Sequence, residues 1–249
     1  MIIKTLRTIK NLIYVPLREY KKFKIKRLPQ KNTAERGSVE WLQNVEKRYG
    51  GFIEKVPLNK ISDHDERNFE EEKLLGMQGG DRMLFHGYGK WYSKYLNRYL
   101  DRDSSELLIV EVGILTGTGL AIWSELFPKS KLFGFDIDLK NFKDNESNLR
   151  DLGAFKENNP TTIEFDQLNP NFSDIKDSFE EHPIDILIDD GLHNTESVVN
   201  TAKAFLPYMS KNSVYFIEDY KFSKKNIESL ANEHNFKTDY QGLFTTLYR

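Results

Sequence analysis

From Leu107 onward, short apolar runs alternate with longer segments in which apolar residues recur every three or four positions. The apolar runs include "LLIVEV", "KLFGFD", "IDILID" and "VYFIED". Such alternation predicts β-α units that build a mostly parallel sheet with helices on its faces. The final stretch, "FKTDYQGLFTTLYR", predicts two strands joined through Gln241 and Gly242, so that an antiparallel hairpin closes the sheet. The pattern therefore predicts an α/β fold.

The chain before residue 104 lacks this alternation. Residues 38–50 have helical spacing at Val39, Leu42 and Val45, and a second predicted helix covers residues 84–100 with its aromatic residues on one side. We therefore predict a helical N-terminal region over 38–103, followed by the α/β core over 104–249.

Residues 1–37 form a predicted basic arm. Its first 36 residues contain eleven Lys or Arg against Glu19 and Glu35, within a chain whose net charge is -2. No run approaches the length of a membrane span, and the features of a signal peptide are absent. Two interpretations stay open: the arm packs on the domain or on a second subunit of a homo-oligomer, or it contacts an anionic membrane surface. Nucleic acid is not an expected partner, because the rest of the chain is acidic.

The composition narrows the chemistry that the chain can carry. The hydrophobic fraction of 39% and the charged fraction of 30% are those of an ordinary soluble protein. The chain has no cysteine, so a metal would be held by oxygen or imidazole ligands. The absence of cysteine also suits a reducing compartment, and we predict a cytoplasmic, or membrane-peripheral, protein.

A glycine-rich loop follows the first predicted strand of the core. In "VEVGILTGTGLAIW" the glycines are Gly113, Gly117 and Gly119, which allow the backbone to turn sharply and to approach a ligand. The spacing differs from the dinucleotide fingerprint, and no P-loop motif is present. In open α/β sheets, ligands bind beyond the carboxyl ends of the strands, which is where this loop is expected to lie.

Polar residues also end the second and third predicted strands. Asp136 lies about twenty residues beyond the glycine loop, at a position from which a carboxylate can accept hydrogen bonds from a ribose. Asp166 and Gln167 end the next strand, where a carboxylate and an amide suit the rim of an adenine. Together these strand ends predict a nucleoside-containing ligand.

Two acidic pairs end the next two predicted strands, in "LIDDGLHNTESV" and "VYFIEDY". These two strands are expected to lie side by side, which brings Asp190 together with Glu218 and Asp219. Three such carboxylates would repel one another without a cation. Carboxylates with water suit Mg²⁺, and Mn²⁺ or Ca²⁺ also fits. Asp189 is nearer the sheet and is expected to orient the loop.

The order of these motifs resembles the class I S-adenosylmethionine-dependent methyltransferases. More narrowly, it resembles the metal-dependent sugar O-methyltransferases of the macrocin and mycinamicin type, with their cephalosporin-hydroxylase-like relatives. The resemblance covers roughly residues 76–249, and the D-D-G-x-H and E-D motifs are its most specific part. It implies a Rossmann-like fold with a seven-stranded sheet, and it places residues 38–103 on the acceptor side. Residues 1–37 have no counterpart in it.

The resemblance also implies roles for individual residues. The residues predicted to contact S-adenosylmethionine are Glu111, Gly113 and Gly117 at its methionine portion, Asp136 at its ribose, Asp166 and Gln167 at its adenine, and Asp189. In "GGDRMLFHGYGKWY", His86 and Tyr88 are expected to cover the cofactor or the acceptor. Leu192 stands where relatives often have serine, which affects the expected acceptor contacts.

His193 follows Asp190 by three residues and is predicted to be the general base. A hydroxyl bound to a divalent cation becomes more acidic, so a neutral imidazole is able to accept its proton. The predicted activity is therefore O-methylation of a sugar hydroxyl. Methylation of a catechol-like or other small-molecule hydroxyl is an alternative, as is a cofactor-binding protein without turnover.

Overall fold

The computed structural model describes residues 32–50, 80–179 and 181–249, together with positions 16, 17, 19, 20 and 23. Most of the predicted basic arm, 1–37, lies outside these residues, so its contact with a second subunit or with a membrane stays a prediction. Within the described part of the chain, no helix has the length and apolar character needed to cross a membrane.

The core is one seven-stranded sheet. Its strands are β1 (Leu108–Val112), β2 (Lys131–Asp136), β3 (Thr161–Glu164), β4 (Ile184–Asp189), β5 (Met209–Ile217), β6 (Lys237–Gln241) and β7 (Phe244–Tyr248). The spatial order is β3-β2-β1-β4-β5-β7-β6, and β1 to β5 are parallel. β7 runs antiparallel to both of its neighbours, so the predicted hairpin and the predicted sheet are confirmed.

Seven α-helices flank the sheet in the described residues. They are α1 (Val39–Arg48), α2 (Gly89–Leu96), α3 (Thr118–Leu126), α4 (Lys140–Asp151), α5 (Phe172–Phe179), α6 (Thr195–Phe205) and α7 (Ser223–Glu233). Every residue of β1 and of β4 is buried, because helices cover both faces of these central strands.

The helix predicted over 84–100 is shorter than expected, since α2 begins only at Gly89. The preceding residues form turns instead, in which the N–H groups of Phe85 and His86 both donate to the carbonyl of Asp81. Gly87 has a φ of 77°, which interrupts a right-handed helix. The prediction was wrong here because the aromatic spacing continues across turns that periodicity alone does not reveal.

The helical N-terminal region packs directly on the core. Trp41, Leu42 and Val45 of α1 belong to the same hydrophobic cluster as residues of α3 and of the sheet. Polar contacts reinforce this packing, because Arg48 Nη1 and Tyr49 Oη each donate to Glu125 Oε2 at 2.7 Å. Residues of 38–103 therefore share one apolar core with the sheet.

The strand order places the predicted site residues at one edge. The order reverses between β1 and β4, and ligands bind at such a switch point in open α/β sheets. In the β4–β5 ladder Asp189 is paired with Ile217, and the Glu218 N–H donates to the Asp189 carbonyl at 2.9 Å. The two acidic pairs are therefore neighbours, as the sequence predicted.

Leu42→Ala tests whether α1 and the sheet unfold as one unit. Leu42 is fully buried in the shared cluster, so we expect the free energy of unfolding to fall by about 2 to 5 kcal/mol. The measurement is urea unfolding followed by both circular dichroism and tryptophan fluorescence.

Val39→Ala is the matched control, because Val39 is on the exposed side of the same helix. We expect this substitution to change the free energy of unfolding by less than about 1 kcal/mol. A separate early transition, or equal effects of the two substitutions, would show that α1 does not share the core.

Candidate active site

The glycine loop between β1 and α3 lies against the loop that follows β4. Gly113 has a φ of 84°, and a Cβ there would lie 2.1 Å from the carbonyl oxygen of Asp190. A side chain at this position would therefore separate the two loops. Gly117 also has positive φ and begins α3 with no side-chain cap. The first turn of α3 thus presents N–H groups at the carboxyl edge of the sheet.

Asp136, at the end of β2, supports the glycine loop. Its Oδ2 accepts from the N–H of Leu115 at 2.8 Å, and its Oδ1 accepts from the N–H of Asp138 at 3.2 Å. Burial raises the pKa of Asp136, while these hydrogen bonds oppose the shift. At the next strand end, Asp166 accepts from the Leu168 N–H at 2.8 Å and so closes a turn.

Gln167 and Asp189 contact each other beneath the loop after β4. Gln167 Nε2 donates to Asp189 Oδ1 at 2.8 Å, and its Oε1 accepts from the Leu192 N–H at 2.8 Å. The Tyr215 hydroxyl donates to Asp189 Oδ2 at 3.0 Å. Burial raises the pKa of Asp189 to about 6, against the opposing effects of His193 and these hydrogen bonds. Both side chains hold the loop, and their predicted contacts with a cofactor stay predictions.

A buried arginine joins three strand ends. The Arg82 guanidinium lies 2.7 Å from Glu111 Oε1, 2.7 Å from Asp190 Oδ2 and 3.2 Å from Glu218 Oε1. These carboxylates follow or belong to β1, β4 and β5, and the Arg82 side chain is only 6% exposed. Gly119 leaves room for the pair, because a Cβ there would lie 1.9 Å from Glu111 Oε1.

The charges of this cluster depend on one another. Burial raises the pKa of Glu111, Asp190 and Glu218, and the Arg82 charge opposes each shift. Burial likewise disfavours the charged form of Arg82, but the three carboxylates outweigh it and raise its pKa. Arg82 therefore stays charged and supplies the countercharge that buried carboxylates need.

Two tyrosines and a histidine from the segment before and within α2 complete the acidic side of the site. The Tyr92 hydroxyl donates to Glu218 Oε1, and the Tyr88 hydroxyl donates to Asp219 Oδ1 at 2.5 Å. His86 Nδ1 lies 3.6 Å from Asp219 Oδ1, and its ring stacks on that of Tyr88. Burial lowers the pKa of His86, but the hydrogen bond to Asp81 and the nearby carboxylates raise it overall. His86 and Tyr88 thus lie beside the acidic pair that ends β5.

Asp190, His193 and Asp219 form the accessible part of the site. One potential ligand atom from each lies within 4.8 Å of the others. His193 Nε2 lies 3.6 Å from Asp190 Oδ1, which is too long for a hydrogen bond. His193 and Asp219 both have positive φ, at 57° and 51°, and such strained backbone is concentrated at functional sites.

Glu218 lies outside this group of three. Its side chain is 1% exposed, and its Oε1 contacts Arg82 and Tyr92. The predicted role of Glu218 as a metal ligand stays a prediction, and the structure adds a second role, the binding of Arg82.

Glu46, in α1, holds the segment that carries Arg82. Its Oε1 accepts from the Met83 N–H at 2.9 Å, and its Oε2 accepts from the Leu84 N–H at 2.8 Å. Burial raises the pKa of Glu46 to about 8, although these two hydrogen bonds oppose the shift. A buried carboxylate far from the site in sequence therefore positions the arginine.

Sequence reasoning missed Arg82 and Glu46. Arg82 stands within the segment singled out for His86 and Tyr88, and the signal was the need of several buried carboxylates for a countercharge. Glu46 gave no such signal, because an acidic residue at a helical position usually faces solvent.

The comparisons with known proteins agree with the fold described above. Residues 110–220 match the family model described as a methyltransferase domain. The fold matches the MycE methyltransferase of the mycinamycin biosynthetic pathway, whose structure was solved with Mg, SAH and mycinamycin VI. The match has a TM-score of 0.51 and 17% sequence identity, and it covers 83% of this chain and 70% of that chain. The class I methyltransferase fold and the resemblance predicted from the sequence are thus confirmed.

Curated relatives match about half of this chain. The mycinamicin VI 2''-O-methyltransferase of Micromonospora griseorubida is 28% identical over 53% of this chain and 32% of its own length. The 8-demethyl-8-alpha-L-rhamnosyl tetracenomycin-C 2'-O-methyltransferase of Streptomyces olivaceus is 27% identical over 58% of this chain and 36% of its own length. The chain thus matches about a third of each relative.

The Glu46→Gln substitution tests the raised pKa of this buried carboxylate through the pH dependence of the free energy of unfolding. The pKa of Glu46 is raised from 4.5 to about 8, so between these values the folded protein holds a proton that the unfolded chain has lost. The contribution of Glu46 to the free energy of unfolding therefore falls as the pH rises through this window. The Gln variant lacks this dependence, so its stability relative to the parent should rise by up to about 1.4 kcal/mol per pH unit.

The measurement is urea unfolding of both proteins at several pH values across the window. Glu40→Gln is the control, because Glu40 is exposed on the same helix. Parallel pH profiles for the parent and the Glu46→Gln variant would contradict a raised pKa at this position.

Proposed function

We propose that this chain is an S-adenosylmethionine-dependent, divalent-metal-assisted O-methyltransferase that acts on a sugar hydroxyl. The observation that carries the proposal is the convergence of Asp190, His193 and Asp219 at the carboxyl edge of the sheet. This group lies beside the glycine loop, because Gly113 touches the backbone of Asp190. The Streptomyces olivaceus relative supports the sugar acceptor, since its name describes O-methylation of a rhamnosyl compound.

The residues around the glycine loop fit the cofactor. The uncapped first turn of α3 suits the carboxylate of a methionine portion, because free N–H groups and the helix dipole favour an anion there. The Asp136 carboxylate accepts two backbone N–H groups and keeps lone pairs for ribose hydroxyls. Glu111 lies behind the loop against Arg82. Asp166 and Gln167 remain proposed contacts at the adenine, and Asp189 remains a proposed contact with the cofactor.

The donor set at the mouth of the site fits a divalent cation. Asp190 and Asp219 bring two partly exposed carboxylates together, with side chains 23% and 24% exposed. We assign the metal to these two residues, with Glu218 as the third ligand carried over from the sequence. Oxygen ligands with water suit Mg²⁺, and Mn²⁺ or Ca²⁺ also fits. When bound, such an ion lowers the pKa of a hydroxyl oxygen that it contacts.

His193 is the proposed general base. Its side chain is 32% exposed, and its Nε2 makes no hydrogen bond with Asp190, so this nitrogen is free to accept the hydroxyl proton. Asp190 nearby stabilises the imidazolium that results. His86 and Tyr88 are proposed to position the acceptor, because both contact Asp219.

Calorimetry with S-adenosylmethionine tests the cofactor. We expect the parent to bind it, and Asp136→Ala to bind it more weakly by about 1 to 3 kcal/mol, because a hydrogen bond to a charged group is lost. Asp144→Ala, on the exposed face of α4, is the control and should bind as the parent does. Binding of NAD in place of S-adenosylmethionine would overturn the assignment.

Direct metal binding tests the acidic group without an acceptor. Mn²⁺ titration followed by electron paramagnetic resonance should show one bound ion, and both Asp190→Asn and Asp219→Asn should lose it while circular dichroism shows that both variants remain folded. Glu218→Gln tests whether Glu218 is the third metal ligand. If this variant keeps its Mn²⁺ affinity, Glu218 is not a ligand and serves only to bind Arg82. Full methyl transfer in EDTA would overturn metal assistance.

Methyl transfer by the His193→Ala variant tests the base. Release of S-adenosylhomocysteine should fall by about 10² to 10⁴, the usual effect of removing a positioned base, while Mn²⁺ and cofactor still bind. His182→Ala is the matched control, because His182 lies at the opposite edge of the sheet. A panel of glycosides and catechols separates the sugar acceptor from the alternative, and no turnover with any of them would favour a binding protein.

A further inference from the structure

A cleft of about 630 Å³ lies at the amino-terminal edge of the sheet, opposite the candidate active site. Its walls include the starts of β1, β2 and β4 and the early residues of β5, so the length of the strands separates it from Asp190. Ligand pockets commonly enclose about 300 to 1,000 Å³, so this cleft has room for a small ligand. No residue assigned to methyl transfer lines it.

The charge of the cleft is opposite to that of the rest of the core. Four basic side chains line it, from Arg98, Arg102, Lys131 and Lys211, against the two acidic residues Glu106 and Asp185. Asp185 is already engaged, because it accepts from the Leu108 N–H at 3.1 Å and from Ser210 Oγ at 2.9 Å. Its only arginine partner in the described structure is Arg102, at 3.4 Å. The cleft therefore keeps an excess of positive charge.

Two of these cations contact the same aromatic ring. The guanidinium carbons of Arg98 and Arg102 lie 4.8 and 5.7 Å from the centre of the same Tyr99 ring. Arg98 donates to the Tyr99 hydroxyl at 2.7 Å, the Ser213 carbonyl at 2.8 Å, and the main-chain oxygens of Asn212 and Arg249. Among the described residues no Asp or Glu side chain pairs with Arg98. The ring contacts hold both guanidinium groups in the wall of the cleft.

We propose that this cleft binds a phosphate group. Guanidinium groups recognise phosphate oxygens through paired N–H donors, and lysines at the rim add charge without a fixed geometry. Lys131 and Lys211 are exposed, and neither forms an ion pair with a carboxylate in the described part of the chain. The basic arm, residues 1–37, is not the expected occupant of the cleft, because the arm and the cleft both carry positive charge.

Calorimetry of the full chain with inorganic pyrophosphate, at low ionic strength and without divalent cations, tests this site. We expect binding by the parent and an affinity about tenfold lower for the Lys131→Gln/Lys211→Gln double variant, because charge-assisted contacts are lost. S-adenosylmethionine binding should be unchanged in this variant. Since the phosphate site does not depend on the proposed methyl transfer, the two proposals fail independently.

The control is Lys143→Gln/Lys224→Gln, which removes the same net charge from exposed positions on α4 and α7. Equal weakening by both double variants would show non-specific attraction and overturn the proposal, as would no detectable binding of pyrophosphate by the parent. Arg102→Lys adds a geometric test. It keeps the charge but loses the guanidinium fork, so undiminished affinity would contradict recognition by paired N–H donors.

Vesicles distinguish the two sources of a phosphate group. The full chain is sedimented with phosphatidylcholine vesicles that contain or lack phosphatidic acid. Binding that needs phosphatidic acid, and that is reduced in Lys131→Gln/Lys211→Gln but not in the control, assigns the phosphate to a lipid headgroup. Pyrophosphate binding with no cleft-dependent vesicle binding assigns it to a soluble phosphate ester.

Discussion

The buried Arg82 guanidinium is the constraint on which the candidate active site depends. Glu111, Asp190 and Glu218 lie at the ends of three neighbouring strands, and without a cation these three carboxylates, two of them fully buried, would lie at close range. Arg82 allows them to be ionised together, and it orients Asp190 from behind. Because Asp190 is fixed through Oδ2, its Oδ1 is left on the side where His193 and Asp219 lie.

Support for this cluster comes from outside the parallel strands. Glu46 in α1 holds the backbone just after Arg82, and Gln167 holds the loop that carries Leu192 and His193. The N-terminal region is therefore not a separate cover over the core but part of the packing that positions the charged groups. A substitution in α1 should therefore alter the position of Asp190 through a short chain of hydrogen bonds and ion pairs.

The two edges of the sheet have opposite electrostatic character. The carboxyl edge gathers carboxylates around a single guanidinium, with Asp219 and His193 accessible. The amino-terminal edge carries Arg98 and Arg102 beside the Tyr99 ring, and Lys131 and Lys211 line the same cleft. In a chain of net charge -2, such a separation of charge favours cations at one edge and anions at the other.

The sequence by itself determined the parallel sheet, the closing hairpin and the meeting of the acidic pairs. The alternation of short apolar runs with helical segments is a local pattern, and the chain connectivity of consecutive β-α units places their strands side by side. It also identified Gly113 as a point of close backbone approach. Only the tertiary structure decided that Arg82 joins three strand ends, that Glu46 positions it, and that α2 begins at Gly89. These contacts join residues far apart in the sequence, so the partner of each buried charge is set by packing, which no local periodicity records.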